Sequence, residues 1–579
     1  MIVSASAYIW SRHVQNEPVP ACVRPRSARW NACECASARP GSVTPRSRIA
    51  RSRGTPGVTA TIRSPATSMR TSATTLSPPL VPDRRRRLLI LVICSTALLI
   101  VGLDSTIVNV ALPAIHDAFH ATLSGLQWTV DAYTLVLASL LLLAGSTADR
   151  LGRRRVFQAG LALFGLGSLL CAIAPSLGLL IVFRIVQAIG GAALTPVAMS
   201  IIRNVFEDPR ERAQAIGVWG AMFGISMALG PVLGGFLVSA ISWRAIFLVN
   251  LPVVLAAIVL TAVFVPESRA PRPRRLDPVG QVLVILALSS LTYGIIEGGH
   301  DGFGTPWIVV LLVLSLLCFA ALVRYELRRR EPLLEVRFFT SVPFAGASAI
   351  AVCLFAAIGG FLFLNTLYLQ DVRGLSPLHA GLYMLPMAAA MIVFSPLSGR
   401  LVGRFGGRPS MVAGGIAVLA SGLLLTTLTP STSVGFLFLA YAVFGIGSGL
   451  VNPPITNTAV SGMPPAQAGV ASAVATTSRQ VGIAVGVAVL GAVAGGGLAG
   501  ALGPAFAEAM RPAWWIVAVL GLVVAVLGYL STTGWARTTA LRTAERLEEP
   551  EVRDFEPHPP GGADQQVVGA GLPANRSSR

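Results

Sequence analysis

From Leu88 onward, apolar residues run almost unbroken for about twenty positions at a time, and short polar breaks, many bearing arginine, separate the runs. A helix that crosses a bilayer needs roughly 20 mostly apolar residues, a length the pattern meets about fourteen times. The predicted spans are residues 88–112, 128–148, 156–174, 178–202, 213–238, 244–265, 278–296, 307–323, 344–368, 380–401, 410–427, 434–456, 469–494 and 513–531. The fold class that follows is an all-α integral membrane protein.

The flanks read differently. Residues 1–87 are dominated by Ser, Pro, Ala and Arg, with fifteen arginines against three acids, and they show no sustained apolar period. Such a composition predicts a disordered basic leader. "MIVSASAYIW" is short and lacks the basic start of a cleavable signal peptide, and Met69, shortly before the first span, is an alternative start of translation. Residues 536–579 are charged, then rich in Gly and Pro, and predict a disordered cytoplasmic tail. Its Asn575-Arg576-Ser577 sequon falls there by chance.

Composition sharpens the class: 53% of residues are hydrophobic and 12% charged, where soluble domains carry about 25% charged residues. Mean hydropathy is +0.69. A formal net charge of +19 raises nucleic acid as a partner, and the placement of the arginines argues against it. Alternate loops hold them, among these Arg84 to Arg87, Arg150 with Arg153 to Arg155, Arg269 to Arg275, Arg324 to Arg337 and Arg400 to Arg408; the intervening loops hold Arg244, Arg373 and Arg511. By the positive-inside rule the rich side is cytoplasmic, which puts both termini inside, makes the number of spans even and places the chain in the cell membrane. Cys22, Cys33, Cys35, Cys94, Cys171, Cys318 and Cys353 are scattered and predict neither a disulfide framework nor a metal site. The run Gly495-Gly496-Gly497-Leu498-Ala499-Gly500 follows a predicted span instead of a strand, so it reads as a flexible external loop and not as a nucleotide cradle.

The break after the second span, Gly145-x-x-x-Asp149-Arg150-x-Gly152-Arg153-Arg154, packs one acid among several arginines. Its glycines let helix ends approach, and Asp149 is placed to neutralise arginines or to cap a neighbouring helix. The loop either sets topology through its charge or latches the cytoplasmic face shut. It resembles the signature loop of the major facilitator superfamily. An echo without the acid stands at Gly399-Arg400-Leu401-x-x-Arg404-x-Gly406-x-Arg408, where a second six-helix repeat would put it if spans seven and eight are an inserted pair. "LDSTIVNVALP" (Leu103 to Pro113), "QWTVDAY" (Gln127 to Tyr133), Arg184-x-x-Gln187, "GPVLGG" (Gly230 to Gly235) and "WRAIFLVNLP" (Trp243 to Pro252) resemble the fourteen-span drug:proton antiporters of that superfamily. Ala188 departs from the glycine more common there. The resemblance implies two six-helix halves at 88–265 and 344–535, a linker at 266–343 bearing two extra helices, and an antiporter motif at Gly230, Pro231, Gly234 and Gly235. Physically, Gly220, Gly224 and those glycines leave a thin face on span five, bent at Pro231.

Ionisable groups within spans are costly, roughly 2.5–3.5 kcal/mol at the bilayer centre, and so mark function. They are Asp104, Asp131, Arg184 and Arg479. From the predicted outer helix ends, Asp104 lies about 13 Å deep, Arg184 about 10 Å and Asp131 about 6 Å. Burial disfavours a carboxylate's charge and a nearby guanidinium favours it, so a change in their separation changes proton affinity. Asp104 is the expected proton carrier with Arg184 as modulator; Asp131 either shares that role or faces water at the interface. Arg479 either lines the substrate path or pairs locally, and Glu297, at an outer helix end, is expected to be solvated. The function expected is export of apolar or cationic small molecules in exchange for protons, with an endogenous metabolite or lipid-like compound as the alternative cargo. No cofactor beyond the proton gradient, no catalytic residue and a monomer in the bilayer are expected. HExxH, Asp-rich metal and GxxxxGK[ST] motifs are absent from the sequence, which argues against a membrane enzyme and a nucleotide-driven pump.

Overall fold

The computed structural model describes residues 83–270, 276–329, 331–464, 467–496 and 505–548. Among these, fourteen helices are long and apolar enough to cross a membrane. They are α1 (Arg84–Phe119), α2 (Leu123–Leu151), α3 (Arg153–Ala172), α4 (Leu177–Val205), α5 (Pro209–Ala240), α6 (Ala245–Phe264), α7 (Pro278–Asp301), α8 (Pro306–Glu326), α9 (Val342–Val372), α10 (Pro377–Phe405), α11 (Gly407–Leu425), α12 (Val434–Val460), α13 (Gly469–Gly495) and α14 (Phe506–Leu530). Polar residues between the apolar runs start them: Asp208 Oδ1 accepts from the amides of Arg210 and Glu211 with Pro209 in the first turn of α5, and Thr122 Oγ1 accepts from Gly125 N at the head of α2.

Helix pairing repeats. In the first half α1 packs on α5, α2 on α4, and α3 on both α4 and α6; in the second, α9 packs on α13, α10 on α12, and α11 on both α12 and α14. Glycines permit the closest approaches at equivalent places. A Cβ on Gly190 of α4 would strike the backbone of Phe164 and Gly160 on α3, and one on Gly447 of α12 would lie 2.8 Å from the Gly414 carbonyl on α11. Gly190 and Gly160 thus bring α4 close to α3 although Ala188 stands in place of a glycine. The inserted pair α7 and α8 pack on each other, and α7 lies along α2 and α13. Gln281 Nε2 donates to the Ser139 carbonyl at 2.7 Å, and Trp128 Nε1 donates to Glu297 Oε1 at 3.0 Å. Glu297, half-buried, is therefore also bonded to α2, beside the ring cluster of Trp128, Tyr293 and Trp307.

Two flanks differ from expectation. Residues 84–87, assigned to the leader, form the first turn of α1, because Asp83 Oδ1 accepts from Arg84 N. The tail assigned to 536–579 begins inside a helix, α15 (Gly534–Glu548), whose Ala536, Ala540 and Thr543 are buried along one face. Thr539 Oγ1 accepts from Val342 N at 3.0 Å and the Thr340 and Thr543 hydroxyls lie 3.0 Å apart. Ala and Thr make a face too weakly apolar to read as a helix period. α1 also runs on past Leu112, through Pro113, which removes a single ladder bond. The rest of the leader, the end of the tail and Gly497 to Gly500 lie outside the described residues.

The halves meet at the ends of the spans away from the arginine-rich loops. There Gln127 Nε2 on α2 donates to the carbonyls of Val487 and Ala488 on α13, both at 3.0 Å, Gln370 Nε2 at the end of α9 donates to the Val110 carbonyl of α1 at 2.9 Å, and Leu378 N of α10 donates to Ser239 Oγ of α5 at 3.1 Å. Toward the arginine-rich face, Gly217, Gly220 and Gly224 of α5 and Gly399 and Gly403 of α10 have nothing within 4 Å of where a Cβ would stand. Polar bonds thus join the halves at the arginine-poor face, whereas these glycines of α5 and α10 are uncovered toward the other.

Candidate functional site

Five helices of the first half bring polar groups to one buried point. α1 supplies Asp104, 0% exposed, and α4 supplies Arg184, 1% exposed. Arg184 Nη1 donates to Asp104 Oδ2 at 2.5 Å and to Gln187 Oε1 at 2.7 Å, and Arg184 Nε donates to the Thr129 carbonyl of α2 at 3.3 Å. Gln187, one turn along α4, donates through Nε2 to Asp104 Oδ1 at 2.8 Å. Asn250 of α6 donates to the same oxygen at 3.3 Å and to Ser168 Oγ of α3 at 3.1 Å, while Ser168 donates to the Phe247 carbonyl at 2.9 Å. Asn250 reaches the site because α6 is broken at Val249, between a short turn Ala245–Leu248 and Asn250–Phe264. The guanidinium lies 4.0 Å from the centroid of the Tyr133 ring, a face that attracts cations.

Both oxygens of Asp104 thus accept from donors on other helices, Oδ2 from Arg184 and Oδ1 from Gln187 and Asn250. Removing charges from water is costly and is repaid by pairing and complete hydrogen bonding.

The structure brings Asp104 and Arg184 together and leaves Asp131 and Arg479 apart from them. Asp131 is fully buried, not water-facing; its Oδ1 receives a long 3.4 Å contact from Thr134 Oγ1 and its Oδ2 has no partner. Arg479, on α13, donates to Thr456 Oγ1 of α12 at 2.6 Å, lies 5.7 Å from the Phe355 ring centroid, and makes no ion pair among the described residues. Ser168 carried no signal in the sequence. Gln187 and Asn250 stood inside the motifs without an assigned role, although an amide deep in an apolar run is itself a mark of a buried polar contact.

At the arginine-rich face, Gly152 turns the chain with φ 113° between α2 and α3. Asp149 Oδ1 accepts from Arg153 Nε and Nη2 at 3.2 and 3.0 Å. The expected capping by Asp149 is corrected: Glu267, past the end of α6, accepts from Arg154 N at 3.1 Å and pairs with Arg155 at 3.7 Å. Glu267 fills the space above Gly152, where a Cβ would come within 2.6 Å of Oε1. Arg153 N also donates to the Ser268 carbonyl and Ala270 N to the Asp149 carbonyl, at 2.9 and 3.0 Å. Gly145 faces Pro196 at 3.8 Å; Arg150 is half-buried. In the echo, Gly406 turns with φ 79° and Arg408 stacks 3.6 Å from the Tyr529 ring centroid.

On α5, Gly230 faces Thr106 and Gly234 faces Ile107 of α1, while Gly235 faces the Pro377 carbonyl and the Pro231 carbonyl faces Gly381, both of α10. Gly220 and Gly224, expected on the same packing face, meet nothing within 4 Å. The motif therefore acts at one end of α5, where it joins α1 within the half to α10 across the halves.

Residues 94–487 match the Major Facilitator Superfamily. The chain is 38% identical over 392 residues to Multidrug resistance protein Stp of Mycobacterium tuberculosis, which covers 68% of this chain and 73% of the relative. It is 37% identical over 394 residues to the Tetracenomycin C resistance and export protein of Streptomyces glaucescens, at 68% and 73%. Among solved structures, a bacterial homologue of the human lysosomal transporter Spinster, inward-facing and unoccupied, aligns with TM-score 0.56 and 20% identity over 80% of this chain and 99% of that one. A D-xylose-proton symporter aligns with TM-score 0.54 and 16% identity over 76% and 97%. These two likenesses concern the fold alone.

Proposed function

This chain belongs to the major facilitator superfamily, in the branch that holds multidrug resistance and export proteins, and on that premise we propose that it exports apolar or cationic small molecules across the cell membrane in exchange for protons. It is a secondary transporter and not an enzyme. The observation that carries the coupling is the buried pair of Asp104 and Arg184, closed by Gln187 and Asn250. With the arginine-poor face closed, cargo enters from the arginine-rich face, which the arginine bias makes cytoplasmic. When the halves rock and the arginine-poor face opens, a proton reaches Asp104, the charge attraction to Arg184 falls, and the shell rearranges; return to the first state releases the proton inside. The proton gradient drives the cycle with no bound cofactor, and both termini stay cytoplasmic. Similarity to the Tetracenomycin C resistance and export protein of Streptomyces glaucescens supports an endogenous metabolite or lipid-like compound as the alternative cargo.

The test is transport in proteoliposomes with an imposed pH gradient, using a cationic dye as cargo. Uphill movement in the wild type that is lost in Asp104→Asn, with dye binding retained, supports the reading. Accumulation by Asp104→Asn equal to that of the wild type overturns it and moves attention to Asp131.

A further inference from the structure

A second pair of acids lies far from Asp104, at the arginine-rich end of the inserted helices. Asp277, which starts α7, is 2% exposed, and Glu326, which ends α8, is 3% exposed. Asp277 Oδ1 is fully engaged: it accepts from Gly280 N at 2.9 Å and from the Tyr325 hydroxyl at 3.2 Å, and it pairs with Arg329 at 3.2 Å. Glu326 Oε2 accepts from Leu333 N at 3.0 Å, in the connector that leads to α9. The other two oxygens, Asp277 Oδ2 and Glu326 Oε1, are buried and have no partner. Both converge on one point, lying 2.7 and 2.5 Å from where a Cβ on Gly280 would stand. Gly280 keeps that space clear.

Ionised carboxylates only accept hydrogen bonds, so two such oxygens facing one space need a shared donor. Among the described residues, the charged side chain that meets the pair is Arg329, which binds the far side of Asp277, lies beside the Tyr325 ring and donates to the Leu276 carbonyl at 3.2 Å. Among the described residues, two acids thus face one guanidinium. A metal ion would need several more oxygens than the two offered here, and it would sit beside a guanidinium. A proton needs only the two oxygens.

We propose that Asp277 and Glu326 bind one proton between them, Glu326 Oε1–H donating to Asp277 Oδ2, and that this proton clamps the ends of α7 and α8 to the connector through Leu333. On its loss to water, both oxygens carry charge across the space above Gly280, the carboxylates separate, and Glu326 loosens its hold on Leu333. The pair thus senses pH on the arginine-rich side independently of the proton carried at Asp104.

The test is infrared difference spectroscopy of the full-length protein in nanodiscs over a pH series. The wild type is expected to show a protonated carboxyl band, titrating away as pH rises, that is missing from both Glu326→Gln and Asp277→Asn. Loss in both is the mark of a shared proton; Asn keeps the capping acceptor of α7 and both variants keep side-chain shape, so folding is preserved. Persistence of the band in either variant overturns the proposal, as does its removal at constant pH by sodium or magnesium at matched ionic strength, which would make the pair a metal site. Hydrogen exchange at Leu333, corrected for intrinsic pH dependence, is expected to rise severalfold as the wild-type band is lost. Exchange indifferent to that loss overturns the clamp.

Discussion

Asp104 and Arg184 stand 80 residues apart in the chain and meet at 2.5 Å, buried together among α1, α2, α3, α4 and α6. Because each is the other's main compensation, their variants are expected to fail in different ways. Asp104→Asn keeps shape and an oxygen that still accepts from Arg184 but removes the counter-charge, so its level in membranes is expected to fall less than that of Arg184→Ala, and gradient-driven export to be lost. Arg184→Ala leaves a buried carboxylate with two amide donors, and breaking a buried pair from one side costs about 3–5 kcal/mol. Its level in membranes is expected to fall, and the double variant Asp104→Asn with Arg184→Ala to recover level without recovering export. Immunoblotting of membranes beside proteoliposome transport measures both. A double variant no better expressed than Arg184→Ala would contradict the pairing.

Gly381→Ala should act on gating. Its Cβ would collide with the Pro231 carbonyl, which is backbone and has no rotamer to escape by. Overpacking of this kind costs about 1–3 kcal/mol, enough to shift a two-state balance on the order of tenfold. Thiol labelling of Ser239→Cys from the arginine-poor side is expected to speed up by that order when Gly381→Ala is added. Unchanged labelling would show that the contact between α5 and α10 does not hold this face closed.

Glu267→Gln is expected to slow turnover while leaving cargo binding in place, as is Asp149→Asn. Glu267 joins the start of α3 to the segment after α6 through Arg154 N and Arg155, and Asp149 ties the end of α2 to Arg153. Combined, the two should slow turnover further than either does, since they hold different arginines. Loss of dye binding in a normally folded Glu267→Gln would assign this cluster to the cargo path.

Reporters fused after Gly152 and after Arg546 are expected to read cytoplasmic, and one inserted between Gly298 and Thr305 to read external. Gly152 stands within an arginine-rich loop and Arg546 ends an arginine-bearing segment, whereas 298–305 carries no arginine. Activity patterns of a cytoplasmic and a periplasmic reporter enzyme at the three sites decide it, and an external reading after Gly152 would invert the orientation.

Fourteen spans were legible because length and apolarity are enough to commit a segment to the bilayer, whatever it packs against. That Asp104 and Arg184 stand at a similar height was legible for a related reason, since rise per residue converts sequence position into height. Rotation about a helix axis is different. Which acid faces which arginine depends on the packing of helices distant in sequence, so Asp131 lay in the outer half with the same credentials as Asp104 and ended without a cation, against Thr134. Gly220 and Gly224 looked like Gly230 and Gly234, yet the last two face α1 and the first two meet nothing within 4 Å.

The sequence by itself determined membrane class, span number, the arginine-bearing face and the residues able to carry charge inside the bilayer. Tertiary structure alone decided the partners: Ser168 and Asn250 at Asp104, Glu267 at Gly152, Glu326 facing Asp277, and a helix at 534–548 where composition pointed to disorder. Hydrophobic insertion sums over a segment and is read locally, whereas a hydrogen bond or ion pair needs two groups at one point, and chain distance says nothing about where in space a group comes to rest.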